Sequence, residues 1–313
     1  MYSILHRFDP PSGLLSFMGL DSLIQLFFSG ITIGSIYAMV ALGFLIIYNA
    51  TGIVNFAQGE FVMLGGLIAV TCYETLHFPI FLTVAVSVLL VTAIGALFEL
   101  VFIHPLRNPS VLGLIMITVA GSILIRGMAM FLWGKEEHGF PPFSGRGSIY
   151  FLGASIPLQA LWIIGMIFAV LVVLYFIFKY TLIGKAMRAV AANRSASHLV
   201  GIPVRKVVLL SFAISAGIGG IAGVLLTPFT LMSFDRGTPL ALKGFSAAVV
   251  GGLGNPGGAV VAGLLLGLIE SYGTGLISSH YKDVFALVIL LLVLFIRPSG
   301  LFSKAGEAGL KKF

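Results

Sequence analysis

IFLTVAVSVLLVTAIGALFEL, residues 80–100, carries no charged side chain before Glu99. A helix needs about 20 apolar residues to cross a hydrocarbon core of ~30 Å, and this run supplies them without interruption. It does not alternate in polarity, as a barrel strand does. A helix also closes its own backbone hydrogen bonds, the condition for crossing lipid. Runs of the same kind recur from Ser22 to Ile296. Of the 313 residues, 58% are hydrophobic and 9% charged, against roughly 25% charged in a soluble domain. That little charge does not coat a globule in water, so lipid solvates much of the surface.

The pattern predicts helices near 22–48, 54–71, 79–103, 111–133, 157–178, 207–227, 240–253, 257–276 and 283–296. The fold class is therefore all-α, a polytopic bundle of about eight or nine spans. Segment 240–253 is short and runs into Gly251, Gly252 and Gly254, which suits either a thin crossing or a re-entrant half-helix. No linker or low-complexity tract divides residues 1–313, so the chain reads as one transmembrane domain with no soluble enzyme domain.

Cys72 is the only cysteine, which excludes an intrachain disulfide and argues against a cysteine-based metal site. Pro10-Pro11 interrupts the N-terminal region, which does not read as a signal peptide. The net charge of +7 sits in loops between apolar spans, a distribution that sets membrane orientation rather than nucleic-acid binding. Loop 179–206 holds Lys179, Lys185, Arg188, Arg194, Arg205 and Lys206 with no acidic residue. The positive-inside rule makes it cytoplasmic. Counting outward places the N-terminus and loops 72–78, 134–156 and 228–243 outside. Arg107 then falls inside. If 240–253 crosses, so does the tail with Arg297, Lys304, Lys311 and Lys312.

No GxxxxGK[ST], HExxH or GxSxG occurs, and the six histidines lack ligand spacing. Nothing supports catalysis. Polar groups inside spans are costly and face protein, water or a solute path. Asn55, Gln58, Gly59 and Glu60 cluster where the second helix begins, which fits either a path lining or a hydrogen-bonded helix start at the cytoplasmic interface. Glu270 lies deep in its helix, either paired with a neighbour or on a path. Glu99 is expected at the interface, and Arg126 is expected to snorkel outward. Thr51–Gly66 and Gly244–Gly258 are glycine-interrupted segments in opposite halves. Such pairs mark the route in transporters built from repeats, although glycine is common in membrane helices. Gly30/Gly34, Gly219/Gly223 and Gly263/Gly267 allow close helix approach, expected within the chain rather than at a dimer seam.

Loop 179–206 is too long for a simple turn. Lys185–Val200 favours helix, and Gly201-Ile202-Pro203 reads as its stop. Met187, Val190, Leu199 and Val200 need a partner, either the membrane surface or a groove on a cytoplasmic protein.

Four stretches together resemble the permease subunits of branched-chain (hydrophobic) amino acid ABC importers. They are Gly30-Ile-Thr-Ile-Gly-Ser-Ile-Tyr-Ala-Met with Gly43 and Asn55-Phe-Ala-Gln-Gly-Glu60; Arg188-Ala-Val-Ala-Ala-Asn with Gly201-Ile202; Phe245-Ser-Ala-Ala-Val-Val-Gly-Gly-Leu-Gly254 through Gly267-Leu-Ile-Glu270; and Pro298-Ser-Gly-Leu301. The match runs in order over roughly 22–302. It departs at Ala192-Asn193, where relatives often carry an acidic or Gln residue. It departs again at Ile103-His104-Pro105-Leu106-Arg107, where they usually read Tyr-Arg-Pro-Leu-Arg.

The resemblance implies a bacterial inner-membrane assembly. It comprises a second, related permease chain, two cytoplasmic ATPases and an extracytoplasmic binding protein. ATP and Mg would be bound by the ATPases, with no cofactor in this chain. The ATPase contact would be Arg188, Ala189, Val190, Ala191, Ala192, Asn193, Arg194, Leu199, Val200 and Gly201. The translocation path or gate would include Asn55, Gln58, Gly59, Glu60, Gly251, Gly252, Gly254 and Glu270. The expected mechanism is alternating access. The rival classes are an ion-coupled carrier or passive channel, for which Glu270 is the candidate coupling carboxylate, and a non-transporting scaffold. Amide or urea substrates fit the resemblance too.

Overall fold

The computed structural model describes residues 19–106 and 110–302. The orientation expectations for Arg107, Lys304, Lys311 and Lys312 lie outside these residues. In chain order the elements are α1 (Leu20–Thr51), α2 (Gln58–Val70, extended by a π-helical turn Thr71–Thr75), α3 (Ile80–Phe98, extended likewise by Glu99–Ile103), α4 (Val111–Trp133), a hairpin of β1 (Ser148–Phe151) and β2 (Ala154–Pro157), α5 (Leu158–Tyr180), α6 (Leu182–Ala192), α7 (Arg194–Leu199), α8 (Val204–Thr230), α9 (Gly237–Gly251), α10 (Pro256–Leu276) and, after a 3-10 turn, α11 (Lys282–Ile296). Among the described residues seven helices are long and apolar enough to span a membrane. The other two of the nine expected segments, α2 and α9, are shorter and deeply buried.

The short pair organises the bundle. α1 ends at Thr51, where Gly52 turns the chain at φ +78°, and residues 52–57 climb back into the protein. Gln58, the first residue of α2, meets Ser215 near the middle of α8 and lies against Gly43 of α1. α2 therefore begins inside the bundle and runs outward. In the second half α8 ends at Thr230, Leu231 breaks the helix at φ +58°, and residues 231–236 descend to Gly237. Gly237 packs on Gly59 so closely that a methyl group on either glycine would collide with the other segment. α9 runs from this point toward the end of the bundle where α1 stops.

The halves are inverted copies in arrangement. α1 packs antiparallel to α10 as α8 packs antiparallel to α3, and α2 lies parallel to α8 as α9 lies parallel to α1. Helices α5–α7 join them. Inverted halves meeting at broken helices place a shared site near mid-membrane. The second break is 231–236, not the glycine cluster at 251–254. Gly252 and Gly254, at φ +100° and +110°, form the tight turn between α9 and α10. The Leu301 amide donates to Val250 O at 2.8 Å and Asn255 Nδ2 to Phe302 O at 2.8 Å. The Pro298–Leu301 stretch thereby closes the foot of α9.

Residues 134–156, expected as an outer loop, cover the opposite end. His138 bridges to Met232, and Gln25 exchanges hydrogen bonds of 2.8 and 2.9 Å with the Ser155 backbone of the hairpin. The hairpin itself was not expected.

Lipid supplies no hydrophobic drive between helices, so close backbone packing holds them. Gly30 and Gly34 of α1 face Gly267 and Gly263 of α10, while Gly223 of α8 faces Val62 and Gly66 of α2. The small-residue pairs are seams within the chain. A Cβ on Gly267 would overlap the backbone of Gly30 and Gly34, whereas one on Gly165 meets nothing within 4 Å. Gly267→Ala is therefore expected to cost about 1–3 kcal/mol through overpacking, and Gly165→Ala nothing comparable. Thermal unfolding of both variants in detergent checks this.

Candidate functional site

The start of α2 holds the first polar cluster. Asn55 is buried, and its Oδ1 accepts the Ala57 amide at 3.1 Å. This turns the chain from loop to helix. Gln58 is bracketed by Ser215. Its Oε1 lies 2.6 Å from Ser215 Oγ, and its Nε2 donates to Ser215 O at 3.2 Å. Ser215 Oγ is also 2.8 Å from Gly43 O. One side chain thus ties α2 to both α1 and α8.

Glu60 stands in the first turn of α2, beside the first turn of α9. Its Oε1 accepts from Ser122 Oγ at 2.9 Å and Thr238 Oγ1 at 3.3 Å. Arg126 Nε is 3.9 Å from the same oxygen. Oε2 is buried, has no hydrogen-bond partner, and faces Gly237. Two helix N-termini thus approach one carboxylate, and each favours negative charge there. Arg126 does not snorkel outward. It turns inward, because an acidic partner at its own depth offers more than a long reach to water.

Ser122, Arg126 and Thr238, the groups that hold Glu60, form the polar wall of a cavity of about 180 Å³. Phe44, Phe56 and Phe245 form its apolar wall. Ile123 and Leu242 at its rim are exposed. The cavity therefore opens between α4 and α9, at the depth where lipid would otherwise lie.

Glu270 belongs to a different cluster. Tyr37 Oη is 2.9 and 3.0 Å from its two oxygens. Lys243 Nζ of α9 is 2.9 Å from Oε1 and 2.8 Å from Asp283 Oδ1. Lys243 did not stand out in the sequence. The signal available was a lysine at an otherwise apolar position of a predicted span. Gly251, Gly252 and Gly254 lie at the end of α9 and in the turn that follows, and share neither cluster. Glu99 is not at an exposed interface. It is buried, 3.6 Å from His104 Nδ1. Among the described residues no group of His, Cys, Asp or Glu is placed to hold a metal.

The basic segment 179–206 is two helices rather than one. Asn193 ends α6 and caps α7, its Oδ1 accepting the Ala196 amide at 2.9 Å. Gly201 then stops the chain at φ +83°. Met187 and Val190 are buried against the bundle, whereas Arg188, Ala192 and Arg194 are exposed. Leu199 and Val200 are 86% and 74% exposed.

Residues 26–294 match the family described as "Branched-chain amino acid transport system / permease component". The chain is 33% identical over 296 residues to the high-affinity branched-chain amino acid transport system permease protein LivH of Salmonella typhimurium, covering 90% of this chain and 96% of that protein. It is 30% identical over 294 residues to the corresponding protein BraD of Pseudomonas aeruginosa, with 90% and 96% covered. It is also 29% identical to the ribose import permease protein RbsC of Haemophilus influenzae, with 83% and 81% covered.

The Glu60–Arg126 contact is checked by a double-mutant cycle. Arg126→Gln is expected to destabilise the protein more when Glu60 is present than in a Glu60→Gln background. The coupling should be about 0.5–3 kcal/mol, read from unfolding in detergent. No coupling would show that the guanidinium draws nothing from the carboxylate.

Proposed function

This chain belongs to the permease family of branched-chain amino acid transport systems, and on that premise we propose that it forms half of the membrane path of an ATP-driven importer for branched-chain or related hydrophobic amino acids. Its relatives are transport subunits, and the chain is a multi-pass membrane protein, not an enzyme. A passive channel or ion-coupled carrier does not fit the family. Glu270, the candidate coupling carboxylate for such a carrier, is engaged by Tyr37 and Lys243.

The observation that carries the reading is the cavity beside the two half-helix starts. One wall is aromatic and the other carries Arg126, Ser122 and Thr238. An apolar side chain rests on the first wall while the charged end of the solute meets the second. Asn55, Gln58 and Gly59 act behind this wall by fixing where α2 begins. Polar groups at this depth are costly toward lipid, so a second, related permease chain closes the α4–α9 face and completes the path.

Energy enters from the cytoplasm. The exposed Leu199–Val200 pair, with Arg188 and Arg194 nearby on α6 and α7, is a small apolar patch in a basic setting. It fits a groove on a separate ATPase, which binds ATP and Mg. Solute arrives from a binding protein on the outer side of the bacterial inner membrane. Nucleotide binding by the ATPase pair pushes on α6–α7, and the path alternates between outward and inward access.

The test replaces both Leu199 and Val200 with Asp. Both side chains are exposed, so the variant is expected to reach the membrane at normal levels. It should lose ATPase co-purification and ATP-dependent leucine uptake by at least about tenfold, the consequence of 1.4 kcal/mol or more lost from docking. Normal uptake would overturn the coupling role.

A further inference from the structure

A second cavity, of about 220 Å³, lies at the outer end of the bundle between α1, α8, α9 and α11. Ile33, Ile36, Met232 and Leu240 line it with apolar surface, while Lys243 and Asp283 supply charge. It faces away from the inner cavity across α9. Thr238, Leu242 and Phe245 look toward the inner space, and Pro239, Leu240 and Lys243 toward the outer one.

The charges here are unequally held. The Lys243 side chain is 8% exposed and stands between two carboxylates. One of them, Glu270, is 3% exposed and already bonded to Tyr37. The other, Asp283, is 75% exposed. Lys282, half exposed, also reaches Glu270 at 3.7 Å. Arg236 at the rim is paired with Glu137 of the outer loop. Lys243 thus has one buried carboxylate partner and one at the solvent edge. A second carboxylate can replace Asp283 on Lys243 without changing the charge of the buried site. The displaced Asp283 then becomes an acceptor for a cation.

We propose that this outer cavity is a recognition vestibule for a zwitterionic α-amino acid. The solute's carboxylate takes the place of Asp283 on Lys243, its ammonium pairs with Asp283, and its apolar side chain lies along Ile33, Ile36 and Leu240. The exchange breaks one ion pair and makes two, with no net charge brought into the protein. A neutral sugar offers neither charge. This rests on the importer reading above and adds to it a checkpoint for the amino-acid backbone, upstream of the inner cavity.

The experiment uses the full chain assembled with its ATPase and second permease partners in proteoliposomes. Cys72→Ala removes the native thiol, and Thr230→Cys places a reporter in the vestibule wall. A membrane-impermeant thiol reagent added on the outer side labels it. Leucine is expected to slow labelling severalfold, whereas leucinamide, which lacks the carboxylate, and ribose leave the rate unchanged. Asp283→Asn should lessen the protection by leucine, and the pair Lys243→Met with Glu270→Gln, which removes both buried charges together, should abolish it. No protection by leucine, or equal protection by leucinamide, overturns the vestibule. ATP-dependent leucine uptake by the unsubstituted complex is measured in parallel. Its absence tells against the importer reading, while the labelling result still decides the vestibule.

Discussion

A polypeptide at membrane depth must satisfy every backbone donor and acceptor, and here the helix α2 begins inside the bundle while α9 begins against it. A helix start leaves several amides without an intrahelical partner. The rest of the interior follows from that constraint. Asn55 accepts an amide at the first start, and Gln58 is bracketed by Ser215. Glu60 sits where the positive ends of α2 and α9 converge. Gly59 and Gly237 carry no side chain because the two starts touch. Replacing Asn55, Gln58 or Glu60 leaves another buried polar group without its partner, which costs more than the bond itself contributes.

The inverted arrangement explains why the chain tolerates so much polarity at its centre. Each half supplies a long helix, α1 or α8, that packs along the partner half. The glycine seams let these helices approach closely enough to wall the polar groups off from lipid. Charge near the outer end is compensated locally by Lys243 with Glu270 and Asp283, and charge at mid-depth by Arg126 with Glu60. Neither cluster presents an isolated charge to hydrocarbon, where it would be expensive.

Much of this was legible in the residues. All nine expected segments are helical, and seven of them are long and apolar enough to span a membrane, because length and continuous apolarity are strong signals. The Asn55–Glu60 cluster stood out because its polar groups follow directly on an apolar run. The second break did not. Glycine marks the first break at Gly52, but Leu231, a residue that rarely adopts positive φ, makes the second. Glycine spacing points instead to Gly244–Gly258, where Gly252 and Gly254 make the turn between α9 and α10. Distance from a helix end alone misplaces Arg126 and Glu99, because it ignores a partner side chain: Glu60 of α2 for Arg126, and His104 at the end of the same helix for Glu99. The hairpin at 148–157 was hidden because β1 is exposed on all four residues and shows no alternation. Lys185–Val200 read as one helix because propensity does not reveal that Asn193 turns its side chain back to cap a new start.

α9 is held unequally at its two ends. Its foot is clasped by the returning chain, through Leu301 on Val250 and Asn255 on Phe302. Its head is held by side chains and close packing instead, through Gly237 on Gly59 and Thr238 on Glu60, with the Lys243 ion pairs near its middle. A rod so anchored pivots rather than slides. At 1.5 Å per residue, its 15 residues make an arm of about 22 Å, and a swing of ~10° carries the head ~4 Å sideways. That is the width of a methyl-bearing chain, so a small rotation at a fixed fulcrum is sufficient to open one side of the rod while shutting the other.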